Sequence, residues 1–123
     1  ICRAVKAAAP EAMLLALSGS EMIKAAQALG LRVCSEVFAD RGYQPDGTLV
    51  PRGKPGAMIE NEEEAVARVL QMAKQGTVCA ADGSTVALQA DSVCVHGDGP
   101  KALAFVRKIS AALPAAGVEI KAQ

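Results

Sequence analysis

An α/β fold built on parallel strands, as a sheet or a barrel, is predicted by three features of the sequence. Strand-like and helix-like segments alternate along it, its first strand candidate is wholly apolar, and its helical segments are bounded by capping residues or glycine. The run from Ala12 to Leu17, AMLLAL, lacks polar alternation, as expected of a parallel strand buried on both faces. Ser18-Gly19-Ser20 turns the chain. A helix then spans Glu21 to Leu29, with Ser20 as N-cap, Met22, Ala25, Ala26 and Leu29 on one face, and Gly30 as its stop.

Leu31 to Phe38 reads as the second strand. From Asp40 to Gly56 the composition changes to four Gly and three Pro with mixed charges, which predicts a long loop. Loops longer than about twelve residues in compact domains are commonly functional or disordered. Asn61 caps a helix running to Gln75, with Glu64 placed to reach back to the cap, Ala65, Val66, Val69, Leu70 and Ala73 as the buried stripe, and Gly76 at its end. Thr77 to Leu88 holds Asp82-Gly83 between β-prone flanks and predicts a small hairpin. Ser92 to His96 is a further strand and Gly97 to Pro100 a turn. Asp98 is placed to cap a helix from Lys101 to Leu113 with Ala102, Phe105, Val106, Ile109 and Leu113 inward. Val118 to Ile120 predicts a short last strand.

The 123 residues (12.6 kDa) are one domain's length or part of one, and a compact chain of this mass buries roughly 65% of its unfolded surface. Thirteen basic residues balance thirteen acidic ones, Trp is absent, and there are one Tyr and two Phe, which excludes nucleic acid as a partner. Charges or breakers interrupt every hydrophobic stretch well short of the ~20 residues of a membrane helix. Ile1 is not a start methionine and Ile1 to Ala8 has no signal-peptide core, so the sequence is expected to open inside a longer reading frame. Cys2, Cys34, Cys79 and Cys94 are scattered without a CxxC pair, the usage of reduced thiols in a cytoplasmic protein.

Strand parity locates candidate chemistry, because successive side chains point to opposite faces. In the strand ending at His96, Val93 and Val95 share the face suited to packing on helices, and Ser92, Cys94 and His96 share the other. In the strand ending at Phe38, Cys34 and Glu36 lie opposite Leu31, Val33 and Val37. Each strand thus carries a Cys followed two residues later by a titratable group near its carboxyl end, where active sites of parallel α/β folds lie. A buried, hydrogen-bonded His and a structural carboxylate fit the same pattern. A Cys94–His96 thiolate pair is disfavoured, since strand neighbours on one face stand about 6.6 Å apart at Cα. One His among dispersed Cys offers no recognised metal spacing, so no metal ligands are assigned. The phosphate-loop pattern GxxxxGK[ST] is absent.

The run from Ser35 to Arg52 (SEVFADRGYQPDGTLVPR), then Pro55-Gly56-Ala57 and the later VCVHGD from Val93 to Asp98, resembles the LamB/YcsF family. The resemblance covers essentially the whole chain, but only about the C-terminal half of the family pattern. The DLNxDxGE, CGFHAGD and KPHGALY signatures of the N-terminal half are missing. It implies that residues 1–123 are the C-terminal portion of a single seven-stranded, TIM-like β/α barrel of the glycoside hydrolase/deacetylase type. It further implies opening of the 5-oxoproline lactam to L-glutamate, coupled to ATP hydrolysis and requiring B and C subunits. ATP is then bound by, or shared with, those partners, in keeping with the missing phosphate loop, and a half-barrel alone is expected to be inactive.

Lactam hydrolysis needs an activated water or nucleophile, a proton donor for the leaving nitrogen and stabilisation of oxyanion charge. Glu36 and His96 are the acid/base candidates. Asp98 either orients His96 or caps its helix. Arg41 has the forked geometry for a substrate carboxylate or a phosphorylated intermediate, or else pairs with Asp40 or Asp46. Asp40 joins the substrate-binding set, and Tyr43, Gln44 and Arg52 either shape the loop or complete that set by touching ligand. Gly42 and Gly99, where the family pattern leads to Ala and Thr, are expected mainly to loosen the local backbone. Two other functions fit the sequence: a non-catalytic assembly subunit that docks through the Asp40 to Gly56 loop, and a metal-dependent amide or acetyl hydrolase, the latter from fold analogy alone.

Overall fold

The computed structural model describes residues 1–97 and 102–122. Its elements are α1 (Cys2–Ala8), β1 (Met13–Leu17), α2 (Glu21–Ala28), β2 (Arg32–Phe38), α3 (Glu62–Gln75), β3 (Thr77–Cys79), β4 (Thr85–Ala87), β5 (Ser92–Cys94) and α4 (Ala102–Ala115). Strands β1, β2 and β5 form a parallel sheet in that order, with Leu17 beside Glu36 and Glu36 beside Ser92. The expected hairpin is β3–β4, antiparallel, with Val78 opposite Val86.

Local chemistry sets most boundaries. The Ser20 hydroxyl accepts from the Ile23 N–H at 3.4 Å, and the Asn61 amide oxygen accepts from the Glu64 N–H at 2.9 Å. Gly76 ends α3 in the left-handed region at φ 64°. Helix α1 has no sequence signature beyond seven residues, too few to be stable alone. Packing holds it: Cys2 is buried against Met22 of α2, with Sγ–Sδ 3.5 Å.

Several expectations need correction. Helix α2 buries Ile23 and Ala26, while Ala25 is exposed and Leu29 lies at the edge of the packed face, because α2 meets α1, β1 and β2 along the i, i+3 line through Ile23. Helix α3 adds Arg68 and Met72 to its buried stripe. On α4 the buried line is Phe105, Ile109 and Leu113, and Val106, one step around the helix, is 44% exposed. Residues Val118 to Ile120 form no strand. Val118 instead donates its N–H to the Leu113 carbonyl and Gly117, at φ 80°, donates to Pro114, the two bonds of a Schellman closure that holds Val118 against the core. The Asp98 cap and the start at Lys101 lie outside the described residues.

The main core joins Val37, Ala39, Tyr43, Val69, Met72, Val78, Ile109 and Leu113, with Val93 and Val95 packed against it, so the valine faces of β2 and β5 meet the helices as parity requires. The opposite face of the sheet is open. The apolar run of β1 predicts burial on both faces, yet Leu15, beside Cys34, is 53% exposed because no layer of the described residues covers that side. The accessible surface of 7198 Å² exceeds by roughly 1,000 Å² the value of about 6,200 Å² typical of a compact monomer of this mass.

The long loop is built rather than slack. Tyr43 pairs with Leu49 and Arg41 with Met58 in isolated antiparallel bridges, and the Asp46 carboxylate accepts from the Thr48 N–H at 2.9 Å. Gly42 does not loosen this segment, contrary to the expectation drawn from the family pattern. A Cβ at this position falls 1.9 Å from the Gly56 carbonyl oxygen, so only glycine permits the two passes of the loop to approach. Gly42→Ala must displace backbone, and it is expected to lower stability by about 1–3 kcal/mol in chemical denaturation. An unchanged midpoint contradicts the close approach.

Candidate active site

Parallel alignment brings the carboxyl ends of β1, β2 and β5 to one edge of the sheet. There the open face carries Glu36 and Phe38 from β2 and Cys94 from β5, with His96 two residues beyond. Glu36 is half-buried. Burial first, then the Glu36 and Asp40 carboxylates, push the Cys94 thiol above the ordinary range, so it is protonated. Cys34, 1% exposed, is raised by burial and then by the negative charges of Asp91 and Glu36. All four cysteines are free thiols.

The His96 ring is fixed on three sides. Its Nδ1 lies 2.8 and 2.9 Å from the two oxygens of Asp40, its backbone N–H donates to the same carboxylate at 3.3 Å, and its ring stacks on Phe38 at a centroid distance of 5.6 Å. The Arg52 guanidinium reaches Nε2 at 3.5 Å. Asp40 is 6% exposed, whereas the His96 side chain keeps 23% of its surface open.

The structure therefore gathers His96, Asp40 and Arg52, with Glu36 on the same sheet face. The other loop candidates belong to the loop's own frame. Arg41 is 6% exposed and donates to the carbonyls of Ala57 (3.0 Å) and Val50 (2.7 Å), pairing with neither Asp40 nor Asp46. It is a cross-brace inside the loop because its fork matches two carbonyls. The Gln44 amide donates to the Thr48 hydroxyl at 2.6 Å. Tyr43 is 1% exposed and its hydroxyl accepts the Phe38 N–H at 3.0 Å. Asp98 lies outside the described residues. Two contributors carry no assignment from the sequence. Phe38 is visible by parity, two residues after Glu36. Arg68, which donates to the carbonyls of Cys79 and Arg41, is visible as the i+3 partner of Ala65 on the buried stripe.

Tyr43 supplies a direct test of how the loop is attached to β2. Burial raises its phenol above its ordinary value of 10.0, outweighing the Phe38 hydrogen bond and the nearby arginines. The sign follows: the native state prefers the neutral phenol, so this contribution to stability is full below the unfolded value and is lost as pH rises past it. Tyr43→Phe leaves the Phe38 N–H without its partner and is expected to cost about 1–3 kcal/mol at neutral pH. It should also flatten the decline of stability above about pH 10. A variant melting like the parent across that range contradicts the attachment.

The described residues form no metal cradle. Among them no three of His, Cys, Asp and Glu converge to hold a metal ion. The loop amides of Lys54 and Ala57 are bonded to the carbonyls of Pro51 and Lys54, and the first turn of α3 presents Glu62, Glu63 and Glu64, which repel phosphate.

A carboxylate and a carboxylate-held histidine at the carboxyl ends of adjoining parallel strands define an α/β protein of the kind that places its chemistry at the strand ends. The chain belongs to the LamB/YcsF family, whose model matches residues 1–123. It is 58% identical over 113 residues to a protein from Neisseria meningitidis serogroup A named as the A subunit of 5-oxoprolinase, covering 92% of this chain and 46% of that one. It is 52% identical over 120 residues to the protein of the same name from Clostridium beijerinckii, covering 98% and 47%. The crystal structure of a lactam utilization protein from Thermus thermophilus superposes with a TM-score of 0.90 at 42% identity, covering all of this chain and 49% of that one. The chain spans about half the length of these relatives.

Proposed function

We propose that this chain is the C-terminal half of the A subunit of an ATP-dependent 5-oxoprolinase, which opens the 5-oxoproline lactam to L-glutamate together with B and C subunits in the cytoplasm. The observation that carries the reading is identity of 52–58% to proteins named as 5-oxoprolinase A subunits over at least 92% of the chain. The paired titratable groups at the strand ends are consistent with it.

In this reading a water oxygen adds to the lactam carbonyl carbon, the ring C–N bond breaks, and the leaving nitrogen takes up a proton. Glu36 and His96 are the acid/base pair. The exposed Arg52 beside His96 receives the substrate carboxylate with its planar fork. Arg41, Tyr43 and Gln44 shape the loop that carries it. ATP is bound by, or shared with, the partner subunits, in keeping with the absence of the GxxxxGK[ST] pattern from this sequence. The open sheet face is closed by the other half of a seven-stranded barrel, which accounts for the exposed Leu15 and the surplus surface.

The test is reconstitution. A full-length A subunit carrying these residues, mixed with B and C, is expected to release glutamate from 5-oxoproline only when ATP is present. Glutamate release without ATP, or ATP hydrolysis by the A subunit alone, overturns the reading.

A further inference from the structure

We infer that Asp40 is a positioning residue that holds His96 as the Nδ1–H tautomer, so that Nε2 is the ring atom that exchanges a proton with substrate. The identity of the reaction rests on the function proposed above; the tautomer does not. Two independent neighbours require the same arrangement. An ionised carboxylate only accepts hydrogen bonds, so the ring nitrogen 2.8 and 2.9 Å from the Asp40 oxygens must carry a proton. A guanidinium only donates, so the nitrogen that Arg52 approaches at 3.5 Å must present its lone pair. One end of the ring is therefore assigned as N–H and the other as acceptor.

The carboxylate is itself held. Asp40 is 6% exposed, its carbonyl accepts from the Ile59 N–H at 2.9 Å, and the preceding residue, Ala39, donates its N–H to the Cys94 carbonyl at 3.0 Å. The carboxylate also takes the backbone N–H of His96, so it fixes the residue and its ring together. Phe38, stacked at an interplanar angle of 19°, fixes the plane of the imidazole. With Nδ1 and one ring face occupied, the edge bearing Nε2 remains toward the exposed Arg52. A substrate entering between Arg52 and Nε2 takes over the lone pair that the arginine now contacts. The same logic, a buried carboxylate that fixes a histidine's tautomer and orientation without itself accepting the proton, operates in serine-protease triads.

The experiment uses the full-length A subunit carrying these residues, labelled with ¹⁵N-histidine, with the His96 signals identified by their loss in His96→Gln. In its neutral form, wild-type His96 is expected to show a pyrrole-type Nδ1 and a pyridine-type Nε2. The reverse assignment overturns the inference. In Asp40→Asn the Nε2–H form should become populated, and kcat in the reconstituted enzyme should fall roughly 10²-fold or more with little change in KM. An unchanged tautomer with normal kcat per folded molecule reduces Asp40 to a structural residue and overturns it as well. If wild-type protein forms no glutamate, the functional reading falls, while the ¹⁵N assignment still decides the role of Asp40.

Discussion

Replacing His96 by glutamine is expected to lower turnover of the reconstituted enzyme by roughly 10²-fold or more while leaving the melting temperature nearly unchanged. Glutamine keeps approximate size and can still donate an amide N–H to the Asp40 carboxylate, but it cannot carry a proton to or from substrate. The side chain stands beyond the end of β5 and outside the buried core, so the loss of its stacking on Phe38 is expected to cost stability far less than turnover. Loss of stability with normal specific activity in the folded fraction would make His96 structural instead. Glu36→Gln provides the parallel comparison. Its side chain is half-buried and glutamine keeps its shape while losing the titratable group, so activity should again fall more than stability.

The second large effect concerns the chain by itself. A three-stranded parallel sheet with β1 and β5 as edges leaves unpaired backbone groups on both sides. Its open face exposes Leu15, and α4 exposes Leu103 at 61% and Val106 at 44%. The surplus of roughly 1,000 Å² over a compact monomer is about the area one partner contributes to a standard protein interface. The isolated 123 residues at micromolar concentration are therefore expected to self-associate, or to stay monomeric only when a chain that covers the open face is added. Sedimentation velocity together with thermal melting decides: a compact, cooperatively melting monomer on its own contradicts the need for a covering chain.

The framework was legible because its signals are local. Periodicity and caps at Ser20, Asn61 and Gly76 placed α2 and α3, and the Asp82-Gly83 pair placed the hairpin. Parity placed Cys34, Glu36, Cys94 and His96 on one face, and Val37, Val93 and Val95 on the other. What local signals do not carry is the order in which distant segments meet. Asp40 and His96 are 56 positions apart, so their pairing depends on β2 and β5 being neighbours. The same applies to Arg41, whose charge suggests a ligand but whose guanidinium meets carbonyls brought together by the folding of the loop. Gly42 suggests slack because its lack of a side chain is visible in the sequence, whereas the Gly56 carbonyl packed against it is not. The fate of Val118 depends on Gly117 in the left-handed region, which turns a strand-prone residue into part of a helix terminus. For Leu15, composition reports an apolar side chain but not what lies above it.

In the proposed function this chain supplies part of the lactam-opening site and is not a passive scaffold for the other subunits. The most direct measurement is glutamate formation from 5-oxoproline and ATP by the B and C subunits, first alone, then with the full-length A subunit carrying these residues, then with its His96→Gln form. Product is expected only with the wild-type A subunit, with a loss of roughly 10²-fold or more for the variant at equal complex formation. Full glutamate formation by B and C without the A subunit, or by the complex containing the variant, would contradict it.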